Sequence, residues 1–295
     1  MPEIRSYFDQ NSESPDINNL AGREVAVFSS RSPAKTTRNE DCVAWIAWRN
    51  ALLVMLADGM GGQPGGGDAA ELAIQVLVDR FKNVNDDQIS PDVFRGGVLD
   101  AFERANLEIQ KLGIGSATTL TAVTVVDSSI RVFNAGDSST LICGGQGKVK
   151  FANTAHSPTG YAIAAGILDS DDALHHDERH LISNIVGSPE MHIDMGPVQK
   201  IRPRDRIVVA SDGLWDNMYL DEINKAIRIV PLYKAANFIF KTCQSRMTRD
   251  GGQLPGHADD LSFVIIRGVP KSIVTPAEQI SLPDVSENTP TETDL

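Results

Sequence analysis

Apolar residues fall along the chain in two rhythms. Short, nearly continuous runs stand at 52–57 (LLVMLA), 120–126 (LTAVTVV), 206–210 (RIVVA) and 261–266 (LSFVII), each bordered by acids, glycines or serines. Runs of that length between turn residues predict buried strands. EVAVFS at 24–29 and CVAWIAW at 42–48 read the same way, and Asp127-Ser128-Ser129 turns one run back into IRVFNAG as a hairpin. Helical spacing governs other stretches. Ala70, Ile74, Leu77 and Phe81 predict a helix from near Asp68, capped by that acid or Gly67, to near Lys82. Phe94, Val98, Ala101, Ala105, Ile109 and Leu112 predict a second over 91–112, and two more fall at 221–229 and 232–247, the latter with Ala235, Phe238 and Ile239 inward.

The remaining segments are polar. Residues 1–22 show little periodicity and predict a flexible arm, while 269–295, rich in Pro, Ser, Thr and Glu, predicts a disordered acidic tail. From 153 to about 198 the chain carries His156, His175, His176 and His180 with scattered acids and neither period, which predicts a surface segment covering a site. The adjacent trio His175-His176-Asp177 reads as a solvated loop, because neighbouring side chains diverge.

Candidate chemistry sits where the apolar runs stop. Glu40 and Asp41 precede one strand, Asp58 ends another before GMGGQPGGG, and Asp137, Asp212 and Asp259 occupy further strand boundaries. Taken singly, each is an ordinary turn former. The glycine stretch is not a phosphate loop, since no Gly-Lys-Ser/Thr follows and Pro64 interrupts it. Taken together, the acids would be gathered at one end of two packed sheets. Carboxylates so crowded raise one another's pKa unless cations lie between them, and an all-oxygen donor set selects Mg²⁺ or Mn²⁺. Two such ions roughly 3.5–4 Å apart would activate a water for hydrolysis at phosphorus.

Composition narrows the partners. The chain has 295 residues, 41% hydrophobic and 22% charged, with a net charge of -12. That balance suits a soluble globular protein and argues against gripping nucleic acid or an anionic membrane by bulk charge. Cys42, Cys143 and Cys243 form no C-x-x-C pair, no apolar run approaches the roughly 18 residues of a membrane span, and the N-terminus lacks a secretion signal. A cytoplasmic location is expected.

Six motifs then stand in a telling order: NED at 39–41, ADGMGG at 57–62, SATT at 116–119, AGDSS at 135–139, SDGLWD at 211–216 and ADDLSFVI at 258–265. From 24 to 267 the chain resembles the metal-dependent protein phosphatases of the type 2C family, and Met60 marks the bacterial-like subgroup. The resemblance implies an α+β fold, a four-layer αββα sandwich of two antiparallel sheets flanked by helices, spanning 23–268 with a flap at 153–190. It implies removal of phosphate from serine and threonine of a phosphorylated protein substrate, using two Mn²⁺ or Mg²⁺ ions and a third, weaker site; a monomer is expected. Carried onto this sequence, Asp58 bridges both metals, the Gly59 carbonyl and Glu40 serve the second, and Asp212 and Asp259 hold the first. Asp41 orients the attacking water, and Asp137 with Asp212 completes the third site.

Thr36 stands where the family usually carries a phosphate-clasping arginine, which leaves Lys35, Arg38 or Arg31 to hold the phosphate. A non-catalytic phosphoprotein-binding relative of the same fold is the alternative that this departure favours.

Overall fold

The structure, a computed structural model, describes residues 1–60, 65–249 and 254–268. The acidic tail expected at 269–295 lies outside them. Strands and helices are numbered in chain order. One sheet runs β1 (Glu3–Tyr7), β4 (Asp41–Ala47), β5 (Ala51–Asp58), β6 (Leu120–Val126), β7 (Ser129–Ala135) and β10 (Asp194–Met195), with β11 (Gln199–Lys200) also on β7. The other runs β2 (Asp16–Leu20), β3 (Arg23–Ser30), β13 (Leu261–Gly268), β12 (Arg206–Ala210), β8 (Ser139–Cys143) and β9 (Val149–Ala152). All these pairings are antiparallel.

Alternation along β5 explains the layering. Leu52, Val54 and Leu56 face the second sheet and meet Val25, Val209 and Val264 between the layers. Leu53, Met55 and Ala57 face the other way, onto α1 (Gly66–Phe81) and α2 (Pro91–Gln110), where Ile74, Leu77, Phe81, Phe94 and Phe102 cover them. A strand covered on both faces needs no polar side, and so the sequence shows a continuous apolar run. On the outer face of the second sheet, Phe28, Val208 and Phe263 pack beneath α5 (Asp212–Trp215), α6 (Leu220–Ala226) and α7 (Leu232–Met247). Truncating a fully buried side chain such as Leu53 in this packing costs about 2–5 kcal/mol. The fold is the four-layer αββα sandwich, and among the described residues no helix is long and apolar enough to cross a membrane.

Local signals set the helix starts. Ser90 accepts a hydrogen bond from the Val93 amide at 3.2 Å, with Pro91 in the first turn of α2. The cap of α1 is Gly65, at φ 78°, ahead of the Gly67 or Asp68 expected from the apolar spacing. Three further expectations are corrected. Residues 1–22 are no loose arm: β1 and β2 each add an edge strand to a different sheet. Their alternation is faint because an edge strand buries little, and in β1 only Tyr7 is buried. The segment 153–198 contains α3 (Pro158–Ala164) and α4 (Ser170–Ala173), too short to show a period. Phe238 and Leu112 are exposed, although their neighbours on the same stripes are buried.

Candidate metal centre

Strand register assembles the acids. Asp41 opens β4 directly opposite Asp58, the last residue of β5. In the second sheet Ala210 pairs with Ser139 on one side and Phe263 on the other. The chain leaving β12 therefore carries Asp212 between Asp137, just before β8, and Asp259, just before β13. The Ser211 hydroxyl donates to Asp41 Oδ2 at 2.8 Å and ties the two sheets together at this end.

The glycine turn and the paired threonines fix Asp58 from behind. A Cβ on Gly59 would lie 2.5 Å from the Gly66 carbonyl carbon, and one on Gly66 would lie 2.6 Å from the Met60 oxygen. Only glycine permits that approach, which brings the start of α1 against the strand end. The Asp58 carbonyl accepts from the Thr119 amide and from the Thr118 hydroxyl, both at 2.8 Å, while its N–H donates to Thr119 Oγ1 at 3.0 Å. The Gly59 N–H donates to the Glu40 carbonyl at 3.2 Å.

Burial and mutual repulsion disfavour the charged forms. Asp58 and Asp212 are held well above the usual carboxylate range, first by burial and then by neighbouring acids: Asp41 foremost for Asp58, Asp259 for Asp212. Burial, then Asp260, pushes Asp41 up to about 7; Asp137 rises to about 6 and Asp216 to about 7, both chiefly by burial. Asp259 is raised for the same reason. Asp41 Oδ1 and Asp137 Oδ1 are buried without a hydrogen-bond partner. Buried carboxylate oxygens that lack donors and repel one another are what hard cations relieve, so the donor set fits Mn²⁺ or Mg²⁺. Among the described residues, the three-ligand groups with donor atoms all within 4.8 Å of one another are His156–His192–Asp194 and His180–Asp216–His257, not the cleft acids.

Two of the three cations expected to bind phosphate are otherwise engaged. Lys35 donates to Glu40 Oε2 at 2.9 Å and to Asp260 Oδ2 at 2.8 Å, with Asp259 Oδ1 at 3.9 Å. Arg38 pairs with Asp68 in the first turn of α1 at 2.6 Å. Two acids escaped the sequence reading. Asp216 follows Asp212 by one helical turn and is acted on by both Asp137 and Asp259. Asp260 accepts from the Ser32 and Glu40 amides at 2.7 and 2.8 Å besides Lys35. Asp137, Asp212 and Asp216 also line a cavity of about 340 Å³ beneath α3 and α4, with Arg179, Leu141 and Trp215 in its walls.

The same fold occurs in known proteins. A putative protein phosphatase 2C-type of Streptococcus pyogenes is 29% identical over 196 residues, 64% of this chain and 78% of that protein. The solved serine/threonine phosphatase of S. agalactiae superposes with a TM-score of 0.72 at 24% identity, covering 84% of this chain and all of the other. The catalytic domain of PstP, solved with two manganese ions, gives 0.67 at 23% identity over 83% of this chain and 98% of its own. The family model for protein phosphatase 2C matches residues 32–250. Because that match runs from β4 through α7 and takes in both sheets, the chain belongs to the protein phosphatase 2C family.

Proposed function

We propose that the protein is a Mn²⁺/Mg²⁺-dependent phosphatase of phosphoserine and phosphothreonine in proteins, working through the carboxylates at the joined sheet ends. The observation that carries this reading is the convergence of Asp41, Asp58, Asp137, Asp212 and Asp259 from both sheets, all with raised pKa values and with unpartnered buried oxygens on Asp41 and Asp137. Two divalent ions, when bound, neutralise these acids, polarise the phosphoryl oxygens and lower the pKa of a water.

Each residue then has a distinct task. Asp58, Asp212, Asp259, Glu40 and the Gly59 carbonyl would hold the two ions. Asp137 with Asp212 would hold a third, weaker ion. Asp41, anchored by Ser211, would accept a hydrogen bond from the attacking water and orient it towards phosphorus, in line with the departing serine or threonine oxygen. Lys35 is committed to Glu40 and Asp260, so its role is to set the position of Glu40 more than to clasp phosphate. Arg38, half-exposed and paired with the exposed Asp68 at the start of α1, is the freer phosphate contact once it leaves that acid.

The protein is read as a cytoplasmic monomer, supported by its three free, buried cysteines and its -12 charge. Nucleic acid and membrane surfaces are poor partners for that charge. A phosphopeptide assay with Mn²⁺ and with chelator tests the catalytic reading: metal-dependent phosphate release is expected from the wild type and none from Asp58→Asn. A folded, metal-binding protein without turnover would establish the scaffold reading instead.

A further inference from the structure

Outside the carboxylate centre, the side chains of His180, Asp216 and His257 each bring one ligand atom within 4.8 Å of the others. We propose that these three residues form a separate site for a borderline transition-metal ion of the Zn²⁺ class, and that the ion straps the flap to the wall of the cleft.

The donor chemistry differs from that of the cleft. Two imidazoles and one carboxylate suit Zn²⁺, Co²⁺ or Ni²⁺, whereas Mg²⁺ prefers oxygen alone. His180 Nδ1 lies 3.7 Å from Asp216 Oδ2, and the two imidazole rings are 4.2 Å apart, tilted by 36°. Ligands about 2.0–2.1 Å from a tetrahedral zinc stand roughly 3.4 Å from one another. Small side-chain rotations therefore close the set. His257 Nδ1 is buried and accepts or donates no hydrogen bond; its nearest acid oxygen, Asp259 Oδ2, is 3.8 Å away.

Two of the ligands sit on a rigid mount. Asn217, fully buried, donates its amide to the His257 carbonyl at 2.8 Å and accepts from the His257 N–H at 3.0 Å. The Asp216 N–H donates to the Asp212 carbonyl at 2.8 Å. His180, by contrast, is exposed and stands in the turn that follows α4. An ion at this site would join that turn to the mount, beside the 340 Å³ cavity that Asp216 lines. Arg179 is the competing cation, since its charge already acts on Asp216.

In the other histidine cluster the central ring, His156, has both nitrogens already engaged. His156 Nδ1 accepts from the Gly136 N–H at 3.1 Å and from the Asn184 amide at 2.7 Å, which places the ring proton on Nε2, donated to Asp194 at 3.0 Å. That ring is a structural tie between β7 and the flap.

The test is Zn²⁺ binding to the full chain in excess Mg²⁺, which saturates oxygen sites, measured by competition with a chromophoric chelator. One equivalent of Zn²⁺ is expected in the wild type, with affinity at least tenfold weaker in His180→Gln and His257→Gln and unchanged in His192→Gln. Substituted Co²⁺ should show the visible absorption of a nitrogen-ligated, low-coordinate ion, lost in His180→Gln. Zn²⁺ should also slow tryptic cleavage after Arg179 in the wild type and not in His180→Gln. Equal Zn²⁺ affinity in wild type and His180→Gln, whose exposed side chain makes misfolding no explanation, overturns the proposal. Zn²⁺ binding needs no turnover, so its failure leaves Mn²⁺-dependent hydrolysis untouched and the failure of hydrolysis leaves it untouched.

Discussion

The hydroxyl of Ser211 donates to Asp41 Oδ2 across 2.8 Å, and both residues are fully buried where the two sheets meet. The other oxygen of Asp41 has no partner. Ser211→Ala would strip the carboxylate of this donor and leave a buried acceptor unsatisfied, a cost of about 1–3 kcal/mol. Urea unfolding of the metal-free protein should show that loss. Turnover should fall with KM little changed, because Asp41 orients water and not the peptide; a variant with full kcat would separate Asp41 from catalysis.

Asp58→Asn should act in opposite directions on stability and activity. Burial and the neighbouring acids raise the Asp58 pKa, so its charge at neutral pH opposes folding of the metal-free chain. The amide removes that charge and keeps the shape. In chelator the variant is therefore expected to melt above the wild type, yet to gain less from Mn²⁺ and to hydrolyse nothing. A lower melting temperature in chelator would mean that repulsion in the cleft is already relieved by some other route.

Much of this site was legible from residue patterns, for a physical reason. A strand covered on both faces shows itself as an unbroken apolar run, and the acid at its end stands out against it, as Asp58 does after LLVMLA. Pairing across long separations left no such mark. Lys35 and Asp260 are 2.8 Å apart in space, but nothing in either neighbourhood announces the other. Asp216 lay within a motif already singled out and was missed because its partner Asp212 absorbed the role. The edge strands β1 and β2 escaped because they bury so few side chains.

The surroundings of Asp260 require a carboxylate and not an amide. Oδ1 accepts from the Ser32 amide, while Oδ2 accepts from the Glu40 amide and from Lys35. Either orientation of an asparagine amide would turn an NH₂ group towards an N–H or ammonium donor. Asp260→Asn should cost about 1–3 kcal/mol, read as a shift in the urea midpoint at constant slope. Adding Lys35→Met should recover part of it, because one orientation then meets fewer opposing donors; an additive double variant would show that Lys35 and Asp260 are not coupled.

Acid should loosen the mount that carries His257 through a different pair. Arg246 is buried, binds both oxygens of Glu222 at 2.8 and 2.9 Å, and donates to the Asn217 carbonyl at 2.6 Å. The Arg246 hydrogen bonds hold Glu222 below its ordinary value of 4.5. A carboxylate lowered on folding contributes stability that is present above its unfolded pKa and lost as the pH falls through its folded one. The difference in stability between wild type and Glu222→Gln should thus be constant at neutral pH and shrink below 4.5. Because Glu222 is about a third exposed, solvent screens the pair, and the neutral-pH difference should be about 1–2 kcal/mol. Denaturant melts of both proteins across that range give the difference directly, and one that grew on acidification would reverse the assigned sign.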